Sequence, residues 1–263
     1  MKKTSVSDQL KEDCKFAIIE AGKIALNLQK KIKIKYKSKN QPVTNADIEI
    51  NNFLFDFFKK KTPNFGWLSE ESLDDKSRFE SDFFWCLDPI DGTRSYILGK
   101  PEYTISLALI NNFKPILGII YNPKTNEYFH AEEHKGAFCN NTQIKVNTKK
   151  KFEVCSLAIS NSEINVLKPY NFFNSKVVKK LGSIAYKIAL VAKGKIDIAI
   201  SLTKKNDWDL AAADLLIREA NGEIMETNGE KIIYNTQNLN INSVMAANAD
   251  IILDLQRKFN RSQ

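Results

Sequence analysis

Apolar residues recur along this chain with two periods, and the switches between them mark out its elements. From Ser7 to Lys30, the residues Leu10, Cys14, Ala17, Ile18, Ala21, Ala25 and Leu28 fall near one face of a helix. A lysine-rich connector, Lys30 to Asn40, follows. Thr44-Asn45-Ala46-Asp47 then has capping-box spacing, and the helix it opens carries Ile50, Phe53, Leu54, Phe57 and Phe58 before stopping near Pro63. Phe65 to Leu68 is a short apolar run, and Asp74 to Ser81 is charged and loop-like. Strands are predicted at Phe83 to Leu87, Thr104 to Ile110, Ile116 to Tyr121, Glu127 to Ala131 and Gly136 to Cys139, with a turn at Asn111-Asn112.

Past the polar, lysine-rich stretch Asn140 to Lys151, the mixture of helix and strand repeats without any fixed period. Val154 to Ser160 and Lys195 to Leu202 read as strands, and a helix is expected around Asn171 to Lys180. Ser183 to Lys193 and Trp208 to Asn221 read as helices closed by Gly194 and Gly222. Short strands near Glu223 to Glu226 and Ser243 to Ala247 precede a last helix, Asp250 to Phe259. The expectation is an α/β (α+β) layered sandwich in two subdomains, residues 1–145 and 146–263.

Charge and the scarce residues narrow the chemistry. A formal charge of +8, mostly from lysine, would attract phosphate-bearing partners, although a solvated lysine-rich surface explains it as well. Cys14, Cys86, Cys139 and Cys155 are scattered, which fits reduced thiols and a cytoplasmic protein. Met1-Lys2-Lys3 is basic, but no apolar stretch follows it before Cys14, so no signal peptide is expected. No run of apolar residues is long enough to span a membrane. With only His130 and His134, which read as ordinary surface residues, Ser-His-Asp, Cys-His and His₃-zinc chemistries have no basis. No G-x-x-x-x-G-K-[ST] string occurs, which excludes a Walker-type kinase. Chemistry here must rest on carboxylates.

Trp85-Cys86-Leu87-Asp88-Pro89-Ile90-Asp91-Gly92-Thr93-Arg94 supplies them. A buried strand delivers Asp88 and Asp91 onto a turn stiffened by Pro89, and the Ile90 carbonyl offers a further oxygen. Hard divalent cations such as Mg²⁺ take all-oxygen clusters of this kind. The Gly92 and Thr93 amides, if they open a helical turn, point at an anion beyond. Glu70-Glu71 and Asp209 also stand where apolar segments end or begin, so they can meet Asp88 and Asp91 at one sheet edge. Ala211, Ala212 and Ala213 are small enough to let the Asp209 helix pack closely.

Leu68-Ser69-Glu70-Glu71-Ser72, the Asp88 to Thr93 run and Trp208-Asp209-Leu210-Ala211-Ala212 resemble, in order, the three signatures of the inositol monophosphatase family. The resemblance extends from the first helix to Ala247 and implies a two-part α-β-α-β-α sandwich, two or three Mg²⁺ ions and inhibition by lithium. It implies that Glu70, Asp88 and the Ile90 carbonyl hold one ion, and Asp88, Asp91 and Asp209 a second. Thr93 would orient the attacking water with Glu70 and Asp47, and the Gly92 and Thr93 amides would bind the phosphate. Asp47 is open to a plain capping role. The implied activity is hydrolysis of a small phosphate monoester by metal-assisted water attack, which needs no protein nucleophile. Homodimers are common in the family.

Two departures bear on the substrate. Inositol-specific members follow the Gly-Thr with Thr-Asn-Phe, whereas this chain has Arg94-Ser95-Tyr96. They also carry a glutamate shortly before the Trp-Asp pair, where Ser201-Leu202 stands here. Both weaken an inositol assignment, and a basic residue after the Gly-Thr is usual in bisphosphate nucleotidases and in the histidinol-phosphatase branch. The reading leans to a 3'(2'),5'-bisphosphate nucleotidase, with Arg94 and Asp209 at the substrate, and keeps inositol monophosphatase and histidinol-phosphatase as alternatives. A structural salt bridge for Arg94 is the plain alternative. The competing class is an RNA- or transcription-complex-binding protein; the absence of aromatics interleaved with basic residues in a recognisable module tells against it.

Overall fold

The structure is a computed structural model that describes residues 6–173 and 177–261. Two helices, α1 (Asp8–Gln29) and α2 (Asn45–Lys61), form the outermost layer. A hairpin of β1 (Ile34–Ser38) and β2 (Gln41–Thr44) joins them. Beneath lies a seven-stranded sheet, β3 (Gly66–Ser69), β4 (Phe83–Asp91), β5 (Thr104–Asn111), β6 (Lys114–Asn122), β7 (Glu127–Glu132), β8 (Ala137–Cys139) and β9 (Thr142–Ile144), in that spatial order. Only the β3–β4 pair is parallel. The strands alternate faces with period two. Trp85, Leu87, Ile105, Leu107 and Leu109 meet α1 and α2, while Phe84, Cys86, Ala108 and Ile110 face the middle of the molecule.

That middle layer is α5 (Ile184–Ala192) and α6 (Asp207–Glu219), both from the second half of the chain. The Ala211–Ala213 run lets α6 come close to the sheet: a side chain at Gly118 on β6 would meet the Ala212 carbonyl at 2.6 Å. A five-stranded sheet follows, ordered β11 (Val177–Lys180), β10 (Ser156–Ile159), β12 (Ile198–Ser201), β16 (Val244–Ala247) and β14 (Glu223–Met225). Its outer face packs on α7 (Ala249–Asn260) through Ile198, Ile200, Ile251, Ile252 and Leu255. Three short elements complete the chain: α3 (Thr93–Ile97), α4 (Ile164–Leu167) and a two-stranded ladder of β13 (Lys205–Asn206) with β15 (Asn240–Ile241). The layers therefore run α-β-α-β-α, as the motif resemblance implies. No helix among the described residues is long and apolar enough to cross a membrane.

Three expectations need correction. Lys30 to Asn40 is not a plain connector, because Ile34 to Ser38 pair with β2 as a strand exposed at every position. The stretch around Asn171 to Lys180 is not helical where it is described. Phe172 and Phe173 pack on Phe152 and Phe259 in a single 3₁₀ turn, and Val177 to Lys180 join β10 as an edge strand. Residues 174–176 of that expectation lie outside the described residues, as do residues 1–5 of the N-terminal one. Finally, β4 does not end at Leu87 but continues through Asp91.

Candidate metal centre

That continuation is what brings the aspartates together. Asp88 pairs with Ser106 and Asp91 with Thr104, so β4 spends three steps where β5 spends two. One residue is extra, a β-bulge at Pro89-Ile90 where proline's missing N–H costs no ladder bond. Residues three apart on a regular strand point to opposite faces; the bulge restores Asp88 and Asp91 to the same side. Asp209 reaches them from the first turn of α6, and oxygens of the three carboxylates lie within 4.8 Å of one another.

Each carboxylate is fixed through one oxygen. Asp88 Oδ1 accepts from the Ile90 amide at 3.0 Å. Asp91 Oδ2 accepts from Ser183 Oγ at 2.6 Å and the Ala185 amide at 2.7 Å, both at the start of α5. Asp209 Oδ2 accepts from the Asn206 amide at 2.6 Å in a capping box. Among the described residues the other oxygens have no hydrogen-bond partner, and no lysine or arginine forms an ion pair with the three.

The electrostatic consequence is large. Burial, then the carboxylates of Glu70, Asp91 and Asp209, hold the Asp88 carboxyl well above its ordinary range. Burial, then Asp91 and Glu70, push Asp209 up to about 8. Burial also raises Asp91, against the bonds from Ser183 and Ala185. Converging oxygens, fixed in place and without a cation, are the donor set of a hard divalent ion, and such an ion would relieve the repulsion.

The remaining site residues surround this cluster. Asp47 is both a cap and a site residue: Oδ2 accepts from the Thr44 amide and hydroxyl, while Oδ1 accepts from Thr93 Oγ1 at 3.3 Å. Thr93 Oγ1 also lies 3.1 Å from the Ile90 carbonyl. Gly92 turns the chain between strand and α3 at φ 96°, where its missing side chain avoids the Glu102 carbonyl. Glu70 is half-buried at the end of β3 and paired with Lys37 Nζ at 3.0 Å; the same ammonium lies 2.5 Å from Glu71. Burial pushes Glu71 up to about 7 despite that pair. Arg94 is exposed on α3, with its guanidinium donating to the Asn40 carbonyl at 2.5 Å.

All of these candidates except Asp47 and Glu71 line one cleft of about 640 Å³. A second cavity of about 750 Å³, between α1 and β6–β8, contains none of them. The cleft also includes residues that the sequence patterns did not single out: Ser160, Lys180, Ser183, Lys204 and Lys205. Behind Ser160 sits Lys187, fully buried, its ammonium donating to Ser160 Oγ at 2.7 Å. Burial pulls Lys187 down to about 8. Glu163 lies nearby, its Oε1 accepting from Ser201 Oγ at 2.5 Å, Thr203 Oγ1 at 2.8 Å and the Leu202 amide at 3.1 Å. The one signal for this group was a lysine inside the apolar helix SIAYKIALVAK.

The sequence profile of the inositol monophosphatase family matches residues 6–259. The chain belongs to that family. It is 31% identical over 199 residues to the fructose-1,6-bisphosphatase/inositol-1-monophosphatase of Thermotoga maritima, covering 72% of this chain and 73% of that one. It is 29% identical over 226 residues to the 3'(2'),5'-bisphosphate nucleotidase CysQ of Haemophilus influenzae, covering 81% and 82%. Among solved structures, the extragenic suppressor protein suhB of Bartonella henselae superposes with a TM-score of 0.85 at 26% identity, covering 97% of this chain and 99% of that one. As an inositol monophosphatase family member, the protein is a metal-dependent phosphomonoester hydrolase, and the Asp88–Asp91–Asp209 cluster can hold its metal.

Proposed function

We propose that this phosphatase acts on a small phosphate monoester whose leaving group is itself anionic, a 3'(2'),5'-bisphosphate nucleotide ahead of inositol monophosphate, with Mg²⁺ as the working ion. The observation that carries the reading is the second-half side of the cleft. Lys180, Lys204 and Lys205 line it, and the buried Lys187 ammonium stands behind Ser160. Because an ammonium only donates, Ser160 Oγ must accept from it, which leaves the serine hydrogen free to donate to a ligand oxygen. The one carboxylate bonded to Ser201, Glu163, is buried and already accepts three bonds, so it offers little to ring hydroxyls. A wall of cations favours a second phosphate over a neutral polyol.

In this reading Glu70, Asp88 and the Ile90 carbonyl hold one ion, and Asp88, Asp91 and Asp209 a second. An ion held by these residues would supply charge neutralisation at the phosphate and a lower pKa for the attacking water. Thr93 Oγ1 gives its own hydrogen to Asp47 or Ile90, so its lone pair can accept a hydrogen bond from that water. Asp47 stands at the end of this relay, fixed by Thr44, and Glu70 supports it from the rim. The Gly92 and Thr93 amides orient the phosphate. Arg94 has to leave the Asn40 carbonyl to reach a second phosphate.

The test is kcat/KM on adenosine 3',5'-bisphosphate, inositol 1-phosphate and histidinol phosphate at one Mg²⁺ concentration, with EDTA and lithium as controls. The bisphosphate is expected to lead, and Lys205→Ala and Arg94→Ala should each weaken it selectively by about 1–3 kcal/mol. Inositol 1-phosphate as the best substrate, untouched by either change, overturns the nucleotide assignment. Salt-dependent RNA binding without phosphatase activity would instead support the binding-protein class.

A further inference from the structure

Arg78 does not line the substrate cleft, and it is fully buried in a chain whose cations are mostly exposed lysines. It lies in a 3₁₀ turn, Ser77–Phe79, within the loop that follows Glu70 and Glu71. Its Nε donates to both oxygens of Asp74, at 3.2 and 3.1 Å, which ties the loop to itself. The neighbouring Ser77 Oγ accepts from the Trp67 amide at 3.2 Å, which ties the same turn to β3, the strand that ends one residue before Glu70.

The other arm of the guanidinium crosses to the second half of the chain. Nη1 donates to Asn235 Oδ1 at 2.7 Å and to the Thr236 carbonyl at 3.1 Å. Asn235 answers with its Nδ2 on the Arg78 carbonyl at 3.2 Å. The Asn235 amide, on a left-handed residue at φ 60°, donates to Asp207 Oδ2 at 2.7 Å. Asp207 is the first residue of α6, and Asp209 is its third.

We infer that Arg78 is a positioning residue for the metal centre, a clamp that fixes the strand end carrying Glu70 against the helix start carrying Asp209. The inference rests on the metal-ligand roles proposed above for those two carboxylates. A planar fork that donates from Nε on one side and from Nη1 on the other fits this geometry, and a lysine ammonium on a flexible stem cannot span both sides at once. Outer-shell groups that orient ligands are worth roughly 10–100-fold in metal affinity or activity, and a clamp that acts only by holding the ligands together shows in affinity.

The experiment measures Mg²⁺ binding by calorimetry on the full chain, together with kcat against Mg²⁺ concentration, at a temperature where every variant is folded. Arg78→Met should weaken Mg²⁺ by roughly 10–100-fold, with kcat at saturating Mg²⁺ nearly kept. Arg78→Lys should recover little of the affinity. Asn235→Gly keeps the left-handed backbone and removes both side-chain bonds of the cross-link while sparing the one to the Thr236 carbonyl. It should therefore shift affinity in the same direction by less, and it decides the matter if Arg78→Met does not fold. Parental Mg²⁺ affinity in both folded variants overturns the inference, as does a loss of kcat with affinity intact. A parent chain that binds no Mg²⁺ would instead remove the metal roles on which the inference stands.

Discussion

Asp197 and the Asp88–Asp91–Asp209 cluster are all carboxylates largely removed from water, and the fold treats them in opposite ways. Asp197, just before β12, receives Asn147 Nδ2 at 2.6 Å, Lys149 Nζ at 2.8 Å, and the Ser156 amide and hydroxyl at 2.6 and 2.9 Å. Burial alone would raise its carboxyl, but the bonds from Lys149 and Ser156 outweigh that and hold it below its ordinary value. The cluster has fewer donors and no paired cation, and its carboxyls rise. A buried carboxylate that the chain satisfies holds the fold together. One left short of partners, beside others of its kind, is kept for a cation from outside.

The sharpest way to break this comparison is to neutralise one member of each set. Asp88→Asn or Asp209→Asn keeps the shape and the fixing hydrogen bond but removes a charge from the metal centre. Activity should fall by on the order of 10²–10³-fold or more, as when a developing charge loses a preorganised partner. The metal-free protein should melt no lower than its parent, and higher at pH 8, because one repelling charge is gone. Asp197→Asn should do the reverse, losing about 1–3 kcal/mol of stability in urea while the activity of the folded fraction stays unchanged. A destabilised but active Asp209→Asn would make the cluster structural.

The pH dependence separates the two sets by sign. Asp209 moves from 3.8 to about 8 on folding, so between those values the folded chain holds a proton that the unfolded chain has released. Its contribution to metal-free stability is fully present below about pH 4, falls as pH rises towards 8, and is flat beyond. Asp197, depressed in the fold, contributes above its unfolded value and loses that contribution as pH falls. Urea midpoints at pH 5 and 8, with and without Mg²⁺, read this directly. The decline from 5 to 8 should be steeper without metal than with it and should lessen in Asp209→Asn; Glu71 and Asp207, raised to about 7 by burial, keep a remainder in every case. A metal-free midpoint that rises over that interval contradicts the proposed repulsion.

How much of this was legible in the sequence follows from how local each feature is. The bulge that aligns Asp88 with Asp91 is announced by Pro89 between them, and the capping box at Thr44 and Asp47 by its spacing. The bond from Ser183 to Asp91 joins residues 92 apart, and no pattern around either one signals it. The local spacing showed only the cap at Asp47, and its contact with Thr93 was expected from the family resemblance alone; one aspartate oxygen serves each role. Around Asn171 to Lys180, packing of Phe172 and Phe173 on α7 overrides a local pattern that looked helical. The β1 hairpin was missed for the opposite reason: its strand buries neither face, so no apolar alternation marks it.

That hairpin yields the smallest effect and the closest test of the comparison, because Lys37 is the cation that does reach the acidic rim. Its ammonium sits between Glu70 and Glu71 on side chains about one-third exposed at Lys37 and Glu70. The pair with Glu70 is worth about 0–1 kcal/mol, but the Glu71 side chain is only 4% exposed and loses its one cation, so Lys37→Met should lower the melting temperature modestly. The ammonium nevertheless occupies Oε1 of Glu70, a carboxylate assigned above to a metal ion, and bonds the Glu70 carbonyl at 3.3 Å. Removing it frees that oxygen, so the Mg²⁺ concentration needed for half-maximal activity should fall by a few-fold at most. Each tenfold is about 1.4 kcal/mol, and a pair this exposed holds less than that. A Mg²⁺ titration of parent and variant at low ionic strength resolves the shift, and it should shrink in high salt as the pair is screened. A requirement for more Mg²⁺ in Lys37→Met would show the reverse, that the lysine orders Glu70 for the ion instead of competing with it.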